Sequence, residues 1–186
     1  MPTTKNHTDV EENPIGLSKA AAEQIAAHLD EHVASLFVLF HQYQKHHWLV
    51  RGPQFRDLHL YLEEAYEKVH EEFDVLAERM TTLGGVPTSD PEAQAKQAYL
   101  SHEKEGEFPV REMLKADRKA EQIVIKKLRK TIELATEKGD YGTETLLKNV
   151  LLGAEERAHN LDHYLERDAL YPFQAVESNG KDKDKE

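Results

Sequence analysis

The sequence predicts an all-α protein in which four long helices form one bundle and a short extra helix lies in the connection between the second and third. Two observations support this prediction. Apolar residues recur every three or four positions over four long stretches, which is the spacing of a helix face packed against a core. The connection between the second and third stretches is too long for adjacent antiparallel helices, and one long crossover is typical of such bundles.

Glycine, proline and capping residues set the boundaries of the predicted helices. The long helices are expected at residues 18–49, 54–83, 109–139 and 143–169, and the short one at 91–100. Serine and aspartate can accept hydrogen bonds from free N–H groups at a helix start, proline suits the first turn, and glycine ends a helix. The residues with these roles are Ser18, Gly52, Pro53, Gly84, Gly85, Pro87, Asp90, Pro91, Pro109 and Gly139.

The middle of the first helix is apolar on nearly every side. Its core face is formed by Ile25, Leu29, Val33, Leu36, Phe40 and Tyr43. Three further apolar residues, Phe37, Val38 and Leu39, lie outside that face. A helix with this pattern is covered on more than one side. We therefore expect contact with another subunit as well as packing inside the bundle.

The chain of 186 residues has no internal repeat and no clear second hydrophobic block, so a single domain is predicted. Residues 1–16 are expected to be a flexible N-terminal tail, residues 17–170 the bundle, and residues 171–186 a C-terminal tail. The end of that tail alternates lysine with acidic residues, which predicts disorder.

Composition indicates a cytoplasmic protein. The chain has no cysteine, which excludes disulfides and thiolate metal sites. Its first residues lack the basic cluster and apolar core of a signal peptide, and its longest apolar run, VASLFVLF, is too short to span a membrane. With 35 acidic and 24 basic residues the net charge is −11, which argues against nonspecific binding of polyanions.

Candidate metal ligands lie at the end of the first helix and along the second. His47 and His59 are twelve positions apart, and Asp74 and Glu78 follow at i,i+4 spacing. Imidazole suits iron, zinc and copper, whereas carboxylate suits harder cations. The mixture therefore favours iron or another first-row metal.

The second helix directs its ligands away from its own core. Measured from the centre of the apolar stripe, His59 lies at about 85°, Asp74 at about 145° and Glu78 at about 175°. His59 and Asp74 are also about 22 Å apart along the axis, whereas bonds to one metal are about 2 Å long. A second copy running antiparallel across a two-fold axis would bring His59 of one subunit against Asp74 and Glu78 of the other. The sequence thus predicts a site shared between two subunits.

At these residues the sequence resembles the Dps family. The run HHWLVRGPQFRDLH, followed by EE, DVLAER and LGG, is similar to the signature of these miniferritins, which form hollow dodecamers and oxidise and store iron. The resemblance implies a ferritin-like bundle, a homododecamer, and ferroxidase ligands at His47, His59, Asp74 and Glu78. It also implies that Fe(II) is the substrate and that hydrogen peroxide is preferred over oxygen as the oxidant.

The residues around these ligands also have ordinary structural interpretations. Glu63 is at the position where the family usually has a metal-binding aspartate. Glutamate keeps the negative charge on a longer side chain. Trp48 corresponds to a tryptophan that can take up oxidising equivalents in the family, although a tryptophan at a helix end is more often an anchoring aromatic. His47 falls on the core line of the first helix and could simply be buried, so its role depends on the resemblance.

An acidic run on the second helix has two interpretations. Its members are Glu63, Glu64, Glu67, Glu71 and Glu72. They can form a solvated surface that pairs with Lys68 at i,i+4 spacing. Alternatively, carboxylates on the cavity wall bind Fe(III) and nucleate mineral, a role that the resemblance implies for Glu63, Glu64 and Glu67.

Two acidic residues near the start of the fourth helix also have alternative roles. Asp140 and Glu144 could line an acidic pore on a three-fold axis through which cations pass. A carboxylate at a helix N-terminus also complements the helix dipole without any transport role. The dipole interpretation is favoured here.

Two other function classes are not favoured. Glu67-x-x-His70 and Glu156-x-x-His159 have the form used by di-iron centres inside one bundle, but both glutamates point away from the core, Glu67 by about 165°. A nucleoid protein would bind DNA through basic tails. Residues 1–16 hold one lysine against three acids, and the last ten residues hold three lysines against four acids, so DNA binding is not expected.

Overall fold

A computed structural model describes residue 10 and residues 13–166 of the chain. In chain order its helices are α1 (Lys19–Leu49), α2 (Phe55–Thr82), α3 (Pro91–Gln97), α4 (Val110–Glu137) and α5 (Tyr141–Leu165). Helix α1 packs along α2 and α4 along α5, and the two pairs meet through α1 against α4 and α2 against α5. The predicted all-α four-helix bundle with a short extra helix is confirmed.

Side-chain caps define the starts of α1 and α5. The hydroxyl of Ser18 accepts a hydrogen bond from the N–H of Ala21 at 3.3 Å, as the sequence predicts. The carboxylate of Asp140 accepts one from the N–H of Thr143 at 3.0 Å. Because Asp140 is the cap, α5 begins at Tyr141, two residues before its predicted start. The helix ends at Leu165, four residues before its predicted end at residue 169, because the backbone of Glu166 is extended.

The short helix α3 ends at Gln97 and not at residue 100, because the chain that follows it binds α1. The N–H of Tyr99 donates to the hydroxyl of Ser35 at 2.9 Å, and the Tyr99 hydroxyl lies 2.9 Å from Nδ1 of His32. Burial lowers the pKa of His32 to about 3, so the ring is neutral. Its Nε2 bonds with the hydroxyl of Thr131 at 2.9 Å. The crossover is thereby attached to both α1 and α4.

Part of the expected N-terminal tail is described. Val10 is only 3% exposed and belongs to the hydrophobic core. The side chain of Asn13 donates to the carbonyl of Leu17 at 2.9 Å and accepts from its N–H at 3.1 Å. Residues 1–9, residues 11 and 12, and the expected C-terminal tail with its alternating charged end lie outside the described residues.

The core lies between the four long helices, and α1 contributes to it from several sides. Val38 and Leu39 are buried. Phe37 and Phe40 are half-buried, and their rings contact Phe73 of α2 at centroid distances of 6.0 and 6.2 Å. Helix α1 is thus covered on most sides within one chain, although the rings of Phe37 and Phe40 stay partly accessible.

None of the helices in the described part of the chain is long and apolar enough to cross a membrane.

A buried ion-pair network joins the helices at the centre of the bundle. The Arg157 guanidinium donates to both carboxylate oxygens of Glu72 at 2.8 Å, and its Nε donates to Glu121 at 2.6 Å. The hydroxyl of Tyr43 donates to the same Glu121 oxygen at 2.8 Å. Burial lowers the pKa of Arg157, but the charges of the two glutamates outweigh it and hold that pKa well above its usual value. The arginine is therefore charged and bridges two buried carboxylates.

Glu72 corrects the prediction of a solvated acidic run, because its side chain is buried in this network. The helical period explains its position, since Glu72 follows Ala65 by seven residues and precedes Leu76 by four, and both of these are buried. Gly153 leaves the space that Glu72 needs, because a Cβ atom at this position would collide with a Glu72 carboxylate oxygen.

Removal of the bridging cation should strongly destabilise the fold. In the variant Arg157→Ala, two buried carboxylates lose their counter-charge, and we expect the free energy of unfolding to fall by about 3–5 kcal/mol. Arg129→Ala is a matched control, since Arg129 pairs with Glu155 at 2.6 Å on the exposed surface and such pairs contribute about 0–1 kcal/mol. Denaturant unfolding measures both variants. Similar losses in the two would contradict a special role for Arg157.

Candidate metal centre

His47 at the end of α1 and His59 in the first turns of α2 lie side by side. Their rings are stacked, with centroids 3.7 Å apart and planes 21° apart. Phe55 stacks on His59 at 4.9 Å. The short turn between α1 and α2 brings the two histidines together, although they are twelve residues apart in sequence. The structure thus joins two of the four predicted ligands within one chain.

Reciprocal hydrogen bonds fix the orientation of both rings. Nδ1 of His47 lies 2.9 Å from the carbonyl oxygen of His59, and Nδ1 of His59 lies 3.0 Å from the carbonyl oxygen of His47. A carbonyl can only accept, so each Nδ1 carries the hydrogen. In the neutral ring Nε2 then keeps its lone pair. Histidines that bind metals are typically held in this way, with the second nitrogen donating to a carbonyl or carboxylate.

Asp74 and Glu78 lie far from these histidines in the same chain. Both side chains are exposed on the second half of α2. Because α2 is one continuous helix, His59 and Asp74 are about 22 Å apart along its axis. Among residues 13–166 no three His, Asp or Glu side chains are grouped closely enough to hold one metal ion. One chain therefore presents the predicted ligands as two separate pairs.

The three glutamates expected to bind iron do not share one environment. Burial and the charges of Glu63 and Glu67 raise the pKa of Tyr66, whose ring contacts His47 at 5.4 Å. Glu64 instead lines a depression between α2 and α5 together with Glu156. Glu63 and Glu67 thus lie on the side of the histidine pair, whereas Glu64 lies towards α5.

Of the remaining acidic run, Glu71 is exposed, and its carboxylate pairs with Lys68 at 2.9 Å, three residues away. Of the two glutamates at the predicted i,i+4 spacing from Lys68, Glu72 pairs with Arg157 instead.

Trp48 does not anchor the end of α1 within the single chain. Its side chain is 67% exposed, which is large for a tryptophan. It lines a cavity of about 380 Å³ beside α3, together with Phe37, Val38, His41, Lys45, Pro91, Ala95, His102 and Glu105. The indole is therefore accessible, next in sequence to the candidate ligand His47.

A second buried network supports the last turn of α1, and the sequence did not reveal it as part of the site. Nδ1 of His46 lies 2.7 Å from Asp117, and its Nε2 lies 2.9 Å from Glu103. Burial lowers the pKa of His46, but the bonds and charges of these two carboxylates outweigh it and raise the pKa overall. Lys45 also donates to Glu103 at 2.6 Å. These contacts position the backbone from which His47 projects.

At the start of α5 the helix-dipole interpretation fits Asp140 better than a pore. Asp140 is buried, caps α5 and accepts a bond from Arg79 at 2.6 Å. Arg79 also donates to the hydroxyl of Thr143 at 2.8 Å. Glu144 is paired with Lys148 on the same helix. The carboxylate of Asp140 is thus occupied by helix capping and by a cation.

Both glutamates of the E-x-x-H pairs are exposed, as the sequence predicts. Glu67 and Glu156 lie on the outside of α2 and α5. The interior between these helices instead holds the charged Arg157. An intrachain di-iron centre would need that space for its metal ions.

Comparisons with known proteins agree with the helical layout. The ferritin-like domain family matches residues 26–170. The DNA protection during starvation protein of Halobacterium salinarum is 42% identical over 84% of this chain and 86% of its own. The chain belongs to the Dps family of ferritin-like proteins. A second relative of this Dps protein is the nutrient stress-induced DNA-binding protein of a Synechococcus species, 37% identical over 89% of this chain and 94% of its own.

Solved Dps structures have the same fold. An archaeal Dps homologue from Halobacterium salinarum superposes with a TM-score of 0.89 at 37% identity and covers 95% of this chain and 98% of its own. The Dps protein of Vibrio cholerae, described as a ferritin-like diiron-carboxylate protein, has a TM-score of 0.79 at 26% identity over 85% of this chain and 99% of its own.

Proposed function

We propose that this Dps protein is a ferroxidase that oxidises Fe(II) and stores the product as Fe(III) mineral. The ferrous ligands are His47, His59, Asp74 and Glu78. The reciprocal Nδ1–carbonyl bonds of the histidine pair are the main support, because they leave both Nε2 atoms free to bind a metal. Iron is the substrate, and imidazole with carboxylate suits it.

Each site is formed by two copies of the chain. One copy supplies the histidine pair and the other supplies Asp74 and Glu78, because the two pairs are about 22 Å apart on one helix. A two-fold axis that pairs antiparallel α2 helices creates two identical sites. The surface near both ligand pairs carries large exposed apolar side chains at Trp48, Phe55 and Val75. An apolar surface of this kind is suited to burial against a partner.

The reaction transfers one electron from each of two Fe(II) ions to one hydrogen peroxide molecule. Two protons are consumed and two water molecules form, so no hydroxyl radical is released. The family resemblance favours peroxide over oxygen. Trp48, exposed beside His47, can take up an oxidising equivalent that escapes this two-electron route.

The Fe(III) product then moves to carboxylates on the wall of a hollow homododecamer in the cytoplasm. The exposure of Glu64 and Glu67 supports this role for both side chains. Glu63 is half-buried and one helical turn after His59, so it can also act as a further ligand at the oxidation site.

Mixed assemblies test the shared site. His59→Ala and Asp74→Ala should each impair Fe(II) oxidation in homogeneous assemblies, and co-assembly should restore part of the activity. In a mixed dimer one site loses both ligands, but the other receives His59 from one chain and Asp74 from the other. Activity should therefore rise with the fraction of mixed dimers, which mass spectrometry measures.

Glu112→Ala is the control for the loss of an exposed carboxylate, because Glu112 pairs with Lys115 on α4 and is not one of the proposed ligands. It should oxidise iron at the normal rate. Activity of confirmed mixed dimers that only equals the average of the two impaired parents would mean that the ligands belong to one chain.

Replacement of glutamates by glutamine separates oxidation from mineral growth. The double variant Glu64→Gln and Glu67→Gln should keep the initial rate of Fe(II) oxidation and slow mineral growth, since it removes surface charge but none of the four ligands. Glu63→Gln should also slow oxidation if Glu63 binds iron at the site. Stopped-flow absorbance measures the first phase, and light scattering measures the second. An equal slowing of both phases by the double variant would place those glutamates in the oxidation site.

DNA binding is a second candidate function, because the Synechococcus relative is named a DNA-binding protein. The charge of this chain argues against it. The net charge is −11, and acidic residues outnumber lysines both in residues 1–16 and in the last ten residues. Few cations are therefore available to neutralise phosphates.

We therefore expect no retention of duplex DNA in a gel shift at about 50 mM salt, where such binding is strongest. A DNA-binding family member with lysine-rich tails serves as the positive control. Retardation of DNA by the iron-free protein that disappears as salt increases would contradict this expectation.

A further inference from the structure

Two histidines on α5 lie outside the proposed ferroxidase site. His159 and His163 are exposed and one helical turn apart, so they project from the same face. Their rings are nearly perpendicular, at 89°, with centroids 4.4 Å apart. The two Nε2 atoms face each other at 3.1 Å. The pair therefore brings two nitrogen atoms with potential lone pairs to one point on the surface.

The separation of these two atoms suits a shared metal ion. Two imidazole nitrogens bound to one metal at about 2.0–2.1 Å are about 3.0–3.4 Å apart for bond angles between about 95° and 110°. A direct N–H···N hydrogen bond fits the same distance, but it needs a proton on one Nε2. A metal ion would replace that proton and lie off the line between the two nitrogens, because half of the 3.1 Å separation is shorter than a metal–nitrogen bond. Histidines at i,i+4 on one helix face are an established arrangement for binding zinc.

The surroundings leave room for further ligands. His163 lines an open depression of about 520 Å³ with Tyr61, Asn160 and Tyr164. Water can enter this space and complete the coordination of a bound ion. Asp162, between the two histidines in sequence, is already paired with Arg118. Among the described residues, no carboxylate is close enough to form a group of three with the two histidines. The protein ligands at this point are therefore the two imidazole nitrogens.

The location separates this pair from the ferroxidase ligands. The ring of Tyr61 contacts Tyr164 at 5.2 Å, and the Tyr61 hydroxyl donates to the carbonyl of Arg157 at 3.1 Å. Tyr61 follows His59 by two residues, which is about 200° around α2. The depression and His59 therefore lie on opposite sides of that helix.

We propose that His159 and His163 together bind a first-row divalent transition-metal ion through their Nε2 atoms, with water as the remaining ligands. A site of this composition binds Cu²⁺ most tightly among these metals, in line with their usual order of affinity. The proposal does not depend on the ferroxidase function, because none of its ligands is shared with that site.

Copper binding to the full-length protein tests the pair. His59→Ala and Asp74→Ala are introduced first, so that the ferroxidase ligands do not compete. Cu²⁺ is added below one equivalent per chain, and its electron paramagnetic resonance spectrum should show coupling to two imidazole nitrogens. A further His159→Ala or His163→Ala change should weaken Cu²⁺ binding by about tenfold or more, because one imidazole alone forms no chelate. His28→Ala removes an exposed histidine elsewhere and should have no effect.

Thermal unfolding with Zn²⁺ provides an independent measurement, since an ion that binds only the folded state raises the unfolding temperature. Zn²⁺ should raise the unfolding temperature of the His59→Ala, Asp74→Ala protein and of its His28→Ala control. It should not raise the unfolding temperature of the variants that also carry His159→Ala or His163→Ala. Unchanged copper affinity and spectrum in both α5 variants would overturn the proposal. It would also fail if these variants lost stability without metal and showed no change in metal binding, because the rings would then only hydrogen-bond to each other.

Discussion

The bridge from Arg157 to Glu72 and Glu121 is the interaction on which the arrangement of the bundle depends. A buried carboxylate without a counter-charge costs several kcal/mol, so α2 and α4 must both approach α5 closely enough for one guanidinium to reach them. Tyr43 extends the network to α1, and Gly153 leaves space for the carboxylate of Glu72. One cation therefore sets the relative positions of all four long helices.

The same cation occupies the space that a di-iron centre inside one bundle would need. Ferritin-like di-iron centres inside one bundle use inward carboxylates to bind their metal ions. In this chain the inward carboxylates of Glu72 and Glu121 already have a positive partner in Arg157, so we propose that the ligands for iron come from elsewhere. The ligands proposed here are the carbonyl-anchored histidines at one end of α2 and the exposed Asp74 and Glu78 towards the other. Because a single rigid helix holds these two pairs apart, a second subunit is the simplest way to join them.

Most of the fold could be predicted because capping residues and helical periodicity are local signals. They located the long helices and, with them, the outward direction of Asp74 and Glu78. Glu72 is an exception. Its charge predicts a solvent-exposed side chain, whereas its spacing from Ala65 and Leu76 puts it on the buried face of α2, where the structure has it. The contact of Glu103 with His46 could not be predicted from local signals. It depends on how the connection between α3 and α4 crosses α1, and no spacing in the sequence encodes that path. The early end of α3 has the same cause, because Tyr99 leaves the helical pattern to bind α1.

The two histidine pairs show how orientation and charge divide possible roles between sites. His47 and His59 are oriented by backbone carbonyls, so their metal-binding nitrogens are set before a metal arrives. In the proposed ferroxidase they act with two carboxylates, which suit Fe(II) and balance the additional positive charge when it becomes Fe(III). His159 and His163 are oriented by helix spacing and by their contact with each other. Among the described residues, no carboxylate is close enough to share a metal ion with both of them. Oxidation of iron there would gain no such stabilisation, so the α5 pair is suited to reversible binding of a divalent ion and not to its oxidation.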